Sequence, residues 1–403
     1  MSHSVIKISS NLNSIVSSNK KKIGFFFGAG SSMNLGEDLK EYNIPGIKEM
    51  TNNIVESIPL EYEETIKSIK ECEDNLFNIE SLLTNINMRI EVIGKGVIDS
   101  LNKEKLVEFK KYIVENLKKI LLKHTGISNH HKENLLPHVM FAKWLKNTKR
   151  DYGVEIFTSN YDFLFEMAME NQKVRYFDGF FGSFQPFFDS TYFNNTSKDG
   201  TVKLWKVHGS LGWMESENGI VRSLSDNHLM ILPSILKYKD SRKEPYTSLL
   251  DRLSYFIKSD DCVLITSGYS FKDQHINEII LDALKTNSNS LVIGLLYDKQ
   301  SNGKTLLEED LTFNKICTEN TRLWILGQKY AYIDGRFGKY EYENVSKENM
   351  DYTENIFEAD YIEIDPSTPQ VKPDKDLNAT LKIVDSLELF RYLESLRLEK
   401  NHD

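Results

Sequence analysis

Residues 23–32, IGFFFGAGSS, restrict this chain more than any other stretch. Phe25, Phe26 and Phe27 form a short apolar run that reads as a buried strand. Such a strand needs cover on both faces, which points to a parallel sheet with helices on either side. The run stops at Gly28-Ala29-Gly30-Ser31-Ser32, where small residues permit a tight turn and close backbone approach. A turn at a strand's carboxyl end can also seat a pyrophosphate, on the free N–H groups of a following helix. Met33 holds the place of the third glycine of a dinucleotide fingerprint, and no clear acidic residue follows at the ribose-binding distance. On its own the turn leaves a ligand site and a bare turn equally open.

Strand and helix patterns alternate along the rest of the chain. VEIFTS (154–159), VRYFDGF (174–180), KLWKVHG (203–209), CVLITSGYS (262–270) and SLVIGLLYD (290–298) read as strands with their turns. NYDFLFEMAMEN (160–171), YTSLLDRLSYFIKS (246–259) and DQHINEIILDALKT (273–286) read as helices, the first capped by Ser159 or Asn160. This order defines an α/β protein with a Rossmann-like parallel sheet. Residues 46–150 repeat apolar side chains at helical spacing, as in LVEFKKYIVENLKKILLKH (106–124), and read as a helical insertion. The sheet domain is therefore assigned to 1–45 and 151–300, and 301–403 to a C-terminal α/β extension. In that extension TRLWILG and YIEID read as strands, DPSTPQVKPDKD (365–376) as a linker or surface loop, and 379–399 as a closing helix.

Bulk properties narrow the function classes. With 59 acidic against 50 basic residues and a net charge of -9, the whole molecule exerts no general pull on nucleic acid. Cys72, Cys262 and Cys317 lie far apart and form no CxxC pair. No four-cysteine zinc ribbon can be built from them, no disulfide framework is expected, and a reducing cytoplasm suits them. No stretch reads as a signal peptide or reaches the apolar length of a membrane span. A cytoplasmic protein with no membrane contact is expected.

Three further polar constellations follow strand patterns, and each has an ordinary structural explanation. In TSNYD, Thr158 to Asp162, an asparagine amide can orient a sugar hydroxyl, or the residues can simply start a helix. In KVHGS, His208 can act as a base or hydrogen-bond partner, or sit satisfied in the core. In SGYSFKDQHIN, Ser267, Gly268, Tyr269 and Ser270 form a strand-to-helix turn, with Asp273 as a cap candidate. Any one of the three is weak by itself.

In this order the four motifs resemble the sirtuin-like superfamily: GAGSS after the first strand, TSNYD, HGS with His208, and SGYS after a late strand. NIPGIKE (43–49) is similar to the loop that closes over the cofactor in that superfamily. The wording of 230–280, MILPSILKYKD through VLITSGYSFKDQHINEII, is similar to prokaryotic sirtuin-like proteins of antiviral defence, most of all the partner of a HerA-type ATPase. The resemblance implies NAD+ as substrate and catalysis by Asn160 and His208, with Asp162 as a second-tier candidate. It implies a pyrophosphate cradle of Gly28, Ala29, Gly30, Ser31 and Ser32. Thr158, Ser267, Gly268, Tyr269 and Ser270 complete the cofactor site. It also implies a homo-oligomer that docks on a HerA-type ATPase and meets nucleic acid only through that partner. The missing zinc cysteines turn the expectation from deacylation to NAD+ hydrolysis; no metal site is expected. An NAD- or ADP-ribose-binding sensor that never cleaves is the alternative.

Overall fold

The computed structural model describes residues 1–73, 77–193, 200–217, 219–223, 244–298, 304–342, 353–359 and 377–399. Its centre is a mixed, mostly parallel sheet of twelve strands. After β1 (Ser2–Ser4) and helix α1 (Val5–Ser17), the chain enters β2 (Lys22–Phe27). Then come β3 (Glu155–Thr158), β4 (Tyr176–Phe177) and, after β5 (Phe180–Phe181) and β6 (Phe187–Phe188), β7 (Val202–Lys206). β8 (Trp213–Ser216) and β9 (Gly219–Arg222) join β5 and β6 in a small separate antiparallel sheet. β10 (Cys262–Ser267), β11 (Leu291–Leu295) and β12 (Leu323–Leu326) return to the main sheet. β13 (Tyr330–Ile333), β14 (Arg336–Tyr342), β15 (Phe357–Ala359) and β16 (Leu377–Leu381) finish it.

The main sheet runs β15-β16-β14-β13-β12-β11-β10-β2-β3-β7-β4, with β1 on β14. From β4 to β12 every pair is parallel; from β12 to β15 every pair is antiparallel. The sheet passes residue 300 without a break, since Leu291–Leu295 pairs directly with Leu323–Leu326. The 379–399 stretch differs from its predicted helix. Leu377–Leu381 is a strand between β14 and β15, and the helix begins only at Ser386. The reason is local: Asp385 accepts the Leu387 N–H and starts the helix there. The predicted YIEID strand, the whole DPSTPQVKPDKD loop and the MILPSILKYKD motif lie outside the described residues.

The phenylalanine run shows why β2 is central. Phe25 and Phe27 point to one face and Phe26 to the other, and all three are fully buried. On the first face lie α7 (His138–Asn147), α8 (Leu164–Asn171) and, from the far end of the chain, α13 (Ser386–Glu399). There Phe25 and Phe27 meet Phe141, Trp144, Phe165 and Phe390. The same face carries α2 (Ile47–Glu56), α3 (Glu63–Glu73), α4 (Ile79–Val92), α5 (Lys103–Leu121) and the short α6 (Gly126–Asn129). On the second face Phe26 joins α9 (Tyr246–Lys258), α10 (Gln274–Thr286) and α12 (Leu311–Glu319), the last after a one-turn α11 (Leu306–Glu309).

Candidate functional site

The register aligns four strand ends in one row. Ser267 of β10 pairs with Phe27 of β2, Phe27 with Thr158 of β3, and Thr158 with Lys206 of β7. All four polar motifs begin at that row, on the carboxyl edge. Strands added after β2 lie on one side of it, and β10 to β12 lie on the other. Chain order therefore reverses between β2 and β10, the position where open α/β sheets bind ligands.

At that reversal two glycine turns interlock. The Gly28 N–H donates to the Ser267 carbonyl at 3.0 Å and the Gly30 N–H to the Gly268 carbonyl at 2.9 Å. A Cβ on Gly28 would lie 2.5 Å from the Gly268 oxygen; one on Gly268, whose φ is +64°, would lie 2.4 Å from the Ser31 nitrogen. Turn-to-turn packing thus explains Gly28, Gly30 and Gly268, whatever ligand approaches. The helix expected to follow the first turn is reduced to a 3-10 turn, Ala29–Ser32; a second 3-10 segment, Glu37–Tyr42, comes next, and the first α-helix after the turn begins only at Ile47. Met33 to Gly36 divert the chain, and the Ile44 N–H returns to the Ser32 carbonyl.

The Asn160 loop is bonded into the same turn. The Asn160 amide nitrogen lies 3.1 Å from the Gly28 carbonyl, 3.1 Å from Ser31 Oγ and 2.9 Å from Ser32 Oγ. Its N–H groups are spent there, and Oδ1 has no hydrogen bond among the described residues. Ser32 Oγ donates to Asp162 Oδ2 at 2.8 Å, while Asp162 Oδ1 accepts the Leu164 N–H at 3.1 Å. The N-cap position of α8 is Phe163, which makes no side-chain cap, so neither Ser159 nor Asn160 caps the helix; Asp162, one residue before it, accepts the first helical N–H. Thr158 Oγ1 bridges the Phe27 carbonyl and the Asn160 N–H. Asn160 and Asp162 are both buried.

His208 follows β7 on the neighbouring strand. Its Nε2 stands 3.4 Å from Asp273 Oδ2, and the other oxygen of that carboxylate caps α10 through the His275 and Ile276 N–H groups. The last motif divides. Ser267 Oγ bonds Ser386 Oγ at 2.8 Å, at the start of α13. The Tyr269 ring packs on Phe26 on the second face, and its hydroxyl donates to Asn277 Oδ1 at 2.8 Å. Ser270 borders a cleft of about 360 Å³ formed with Phe271, Asn277 and Phe313.

Several partners were not legible in the sequence. His124 donates from Nδ1 to the Leu121 carbonyl and accepts the Phe163 N–H at Nε2, 3.0 Å away, so the 46–150 stretch holds the Asn160 loop directly. Burial lowers its pKa and keeps that acceptor neutral. Lys206 and Glu166 form a buried pair beneath the same loop, at 2.6 Å. Among the described residues no group of three or more His, Cys, Asp or Glu is placed to hold a metal ion. There too, no helix is long and apolar enough to cross a membrane.

These features define an α/β protein with a Rossmann-like core and a cluster of polar residues at the point of chain reversal. A family profile for the SIR2-like domain matches residues 154–313, which supports a sirtuin-like protein and fits NAD-related activity. The match includes Asn160, Asp162, His208 and the Ser267–Ser270 turn; it covers less than half of the chain and leaves out the Gly28–Ser32 turn. No curated protein matches the chain.

Proposed function

We propose that this protein is an NAD+ hydrolase that cleaves the nicotinamide–ribose bond to give nicotinamide and ADP-ribose. The observation that carries the reading is the row of strand ends, which brings Asn160, His208 and the two glycine turns to one edge. The bond from the ribose anomeric carbon to nicotinamide breaks, and one from water oxygen to that carbon forms. Nicotinamide leaves neutral, and the proton of water passes to solvent. No acid is needed for the leaving group, and the transition state is oxocarbenium-like.

The residues suit these demands. With its N–H groups spent on the glycine turn, Asn160 presents Oδ1 as an acceptor. An acceptor there orients the attacking water and favours positive charge on the ribose. His208, its Nε2 3.4 Å from Asp273 Oδ2, holds a ribose hydroxyl and raises electron density in the ring. Asp162 is a candidate either to bind the carboxamide or to support the loop, and its bonds to Ser32 and Leu164 agree with the second. Gly28 to Ser32 face the pyrophosphate, and Gly268 and Ser270 the adenosine side. The physiological setting we propose is anti-phage defence by NAD+ depletion. There the chain works in the cytoplasm as a homo-oligomer, under the control of a HerA-type ATPase.

The competing reading is a module that binds NAD or ADP-ribose without cleaving it. The bonds that tie Ser31, Ser32, Asp162 and the Asn160 N–H groups to one another speak for it. Nicotinamide release from NAD+ decides between them, measured for parent, Asn160→Ala and His208→Ala, with and without the ATPase. Release that both substitutions abolish supports hydrolysis. Bound NAD with no release under any condition supports the module.

A further inference from the structure

We propose that Lys206 is a positioning residue of this site, its ammonium holding the Asn160 loop and the His208 loop in one fixed relation. This rests on the NAD+-cleaving reading above. Lys206 closes the row of strand ends beside Thr158 and is 2% exposed. Its Nζ reaches the Asp162 carbonyl, the Tyr161 carbonyl at 3.4 Å, Glu166 Oε1 at 2.6 Å and Ser210 Oγ at 3.2 Å. The ring of Phe163 lies 5.0 Å from it. One cation thus grips both loops, which also bond directly from the Leu211 N–H to the Tyr161 carbonyl at 3.1 Å.

The geometry explains the residue type. Four oxygens converge on a small volume from different directions. A compact ammonium with three donors can serve them; a planar guanidinium cannot. Without the cation the Asp162 carbonyl is left buried beside a carboxylate, and the backbone that aims Asn160 Oδ1 is released. Lys206 lies behind the loops and needs no contact with substrate to act.

The test compares the parent with Lys206→Met and with the double variant Lys206→Met/Glu166→Gln. The double variant keeps the experiment informative where a lone buried carboxylate prevents folding. We expect folded variant to lose about 10²-fold in kcat, the scale of a small misplacement at a reacting centre. KM should stay within about threefold. Amide hydrogen exchange should accelerate at 160–164 and stay at the parent value in β10 and β11. A purely structural role would lower the melting temperature and leave kcat of the folded molecules unchanged, and that result overturns the proposal. Should the parent release no nicotinamide, the hydrolase reading fails separately. Hydrogen exchange then decides alone, and unchanged protection at 160–164 overturns the role of Lys206.

Discussion

The same two strands, β3 and β7, carry a buried ion cluster at each end, and the two are built differently. At the amino end Glu155 accepts from Trp205 Nε1 and Arg252 Nε, both at 2.8 Å, and from Arg252 Nη2 at its other oxygen. Arg252 Nη1 continues to the Phe193 carbonyl, and Lys203 stands 3.9 Å from the carboxylate. Side chain meets side chain, and the cluster joins α9 to the sheet. At the carboxyl end Lys206 divides its donors between loop backbone, at the Tyr161 and Asp162 carbonyls, and the side chains of Glu166 and Ser210. Glu166 Oε2 has no hydrogen bond among the described residues, and burial raises that carboxyl's pKa against the pull of Lys206. The amino-end cluster fastens elements together; the carboxyl-end cluster shapes a loop and tolerates imperfect pairing.

Removing one partner from the amino-end cluster sharpens that contrast most. Arg252→Met strands the Glu155 carboxylate in the core, and we expect a loss of about 3–5 kcal/mol in urea unfolding. Arg252→Met/Glu155→Gln should recover much of it. Nicotinamide release per folded molecule should match the parent in both. A rate loss in the folded double variant would mean that the amino end also shapes the site, and the contrast would fall.

Acid tests the carboxyl-end face. His138 is fully buried against Phe165 and Phe390, and neither ring nitrogen has a hydrogen bond among the described residues. Burial drives its pKa down from 6.5 to about 4. Between those values the unfolded chain binds a proton that the folded chain refuses. Stability therefore falls as pH drops from 6.5 to about 4, and this group's share of the loss is about 3 kcal/mol. His138→Phe should flatten that part of the curve in denaturant melts at stepped pH. An unchanged slope would shift the acid sensitivity to other groups.

A smaller effect probes how the 46–150 stretch holds the loop. His124→Phe removes the acceptor for the Phe163 N–H, and leaving that donor unsatisfied costs about 1–3 kcal/mol. Hydrogen exchange at Phe163 and Leu164 should rise with it. Exchange that stays at the parent rate would mean that His124 has no hold on the loop.

These partners also show what a sequence reveals. The strands around 23–27, 154–158, 203–206, 262–267 and 291–295 were legible because buried parallel strands are short apolar runs that end in turn residues. Asn160 and His208 were legible as polar residues just past such runs. Their supports were not. His124 is 39 residues from Phe163, Glu166 is 40 from Lys206, and Ser386 is 119 from Ser267. No local periodicity links such pairs; only register and packing do. The 377–381 strand was missed for a related reason. It is an antiparallel strand held by β14 and β15, and a helix follows it too closely for the two patterns to separate.

Ser267 provides the finest test of that distinction between local pattern and tertiary partner. Its motif assigns the hydroxyl to the adenosine side of a ligand, yet the structure gives it to Ser386, with both residues buried. If that bond occupies it, Ser267→Ala and Ser386→Ala should each cost about 1 kcal/mol in thermal or urea melts. The double variant should cost little more than either one, because both remove the same bond. NAD affinity, measured by titration calorimetry, should then change little in Ser267→Ala. Additive stability losses, with a marked fall in affinity confined to Ser267→Ala, would return the hydroxyl to the ligand. The start of α13 would then be a neighbour of the site with no hold on it.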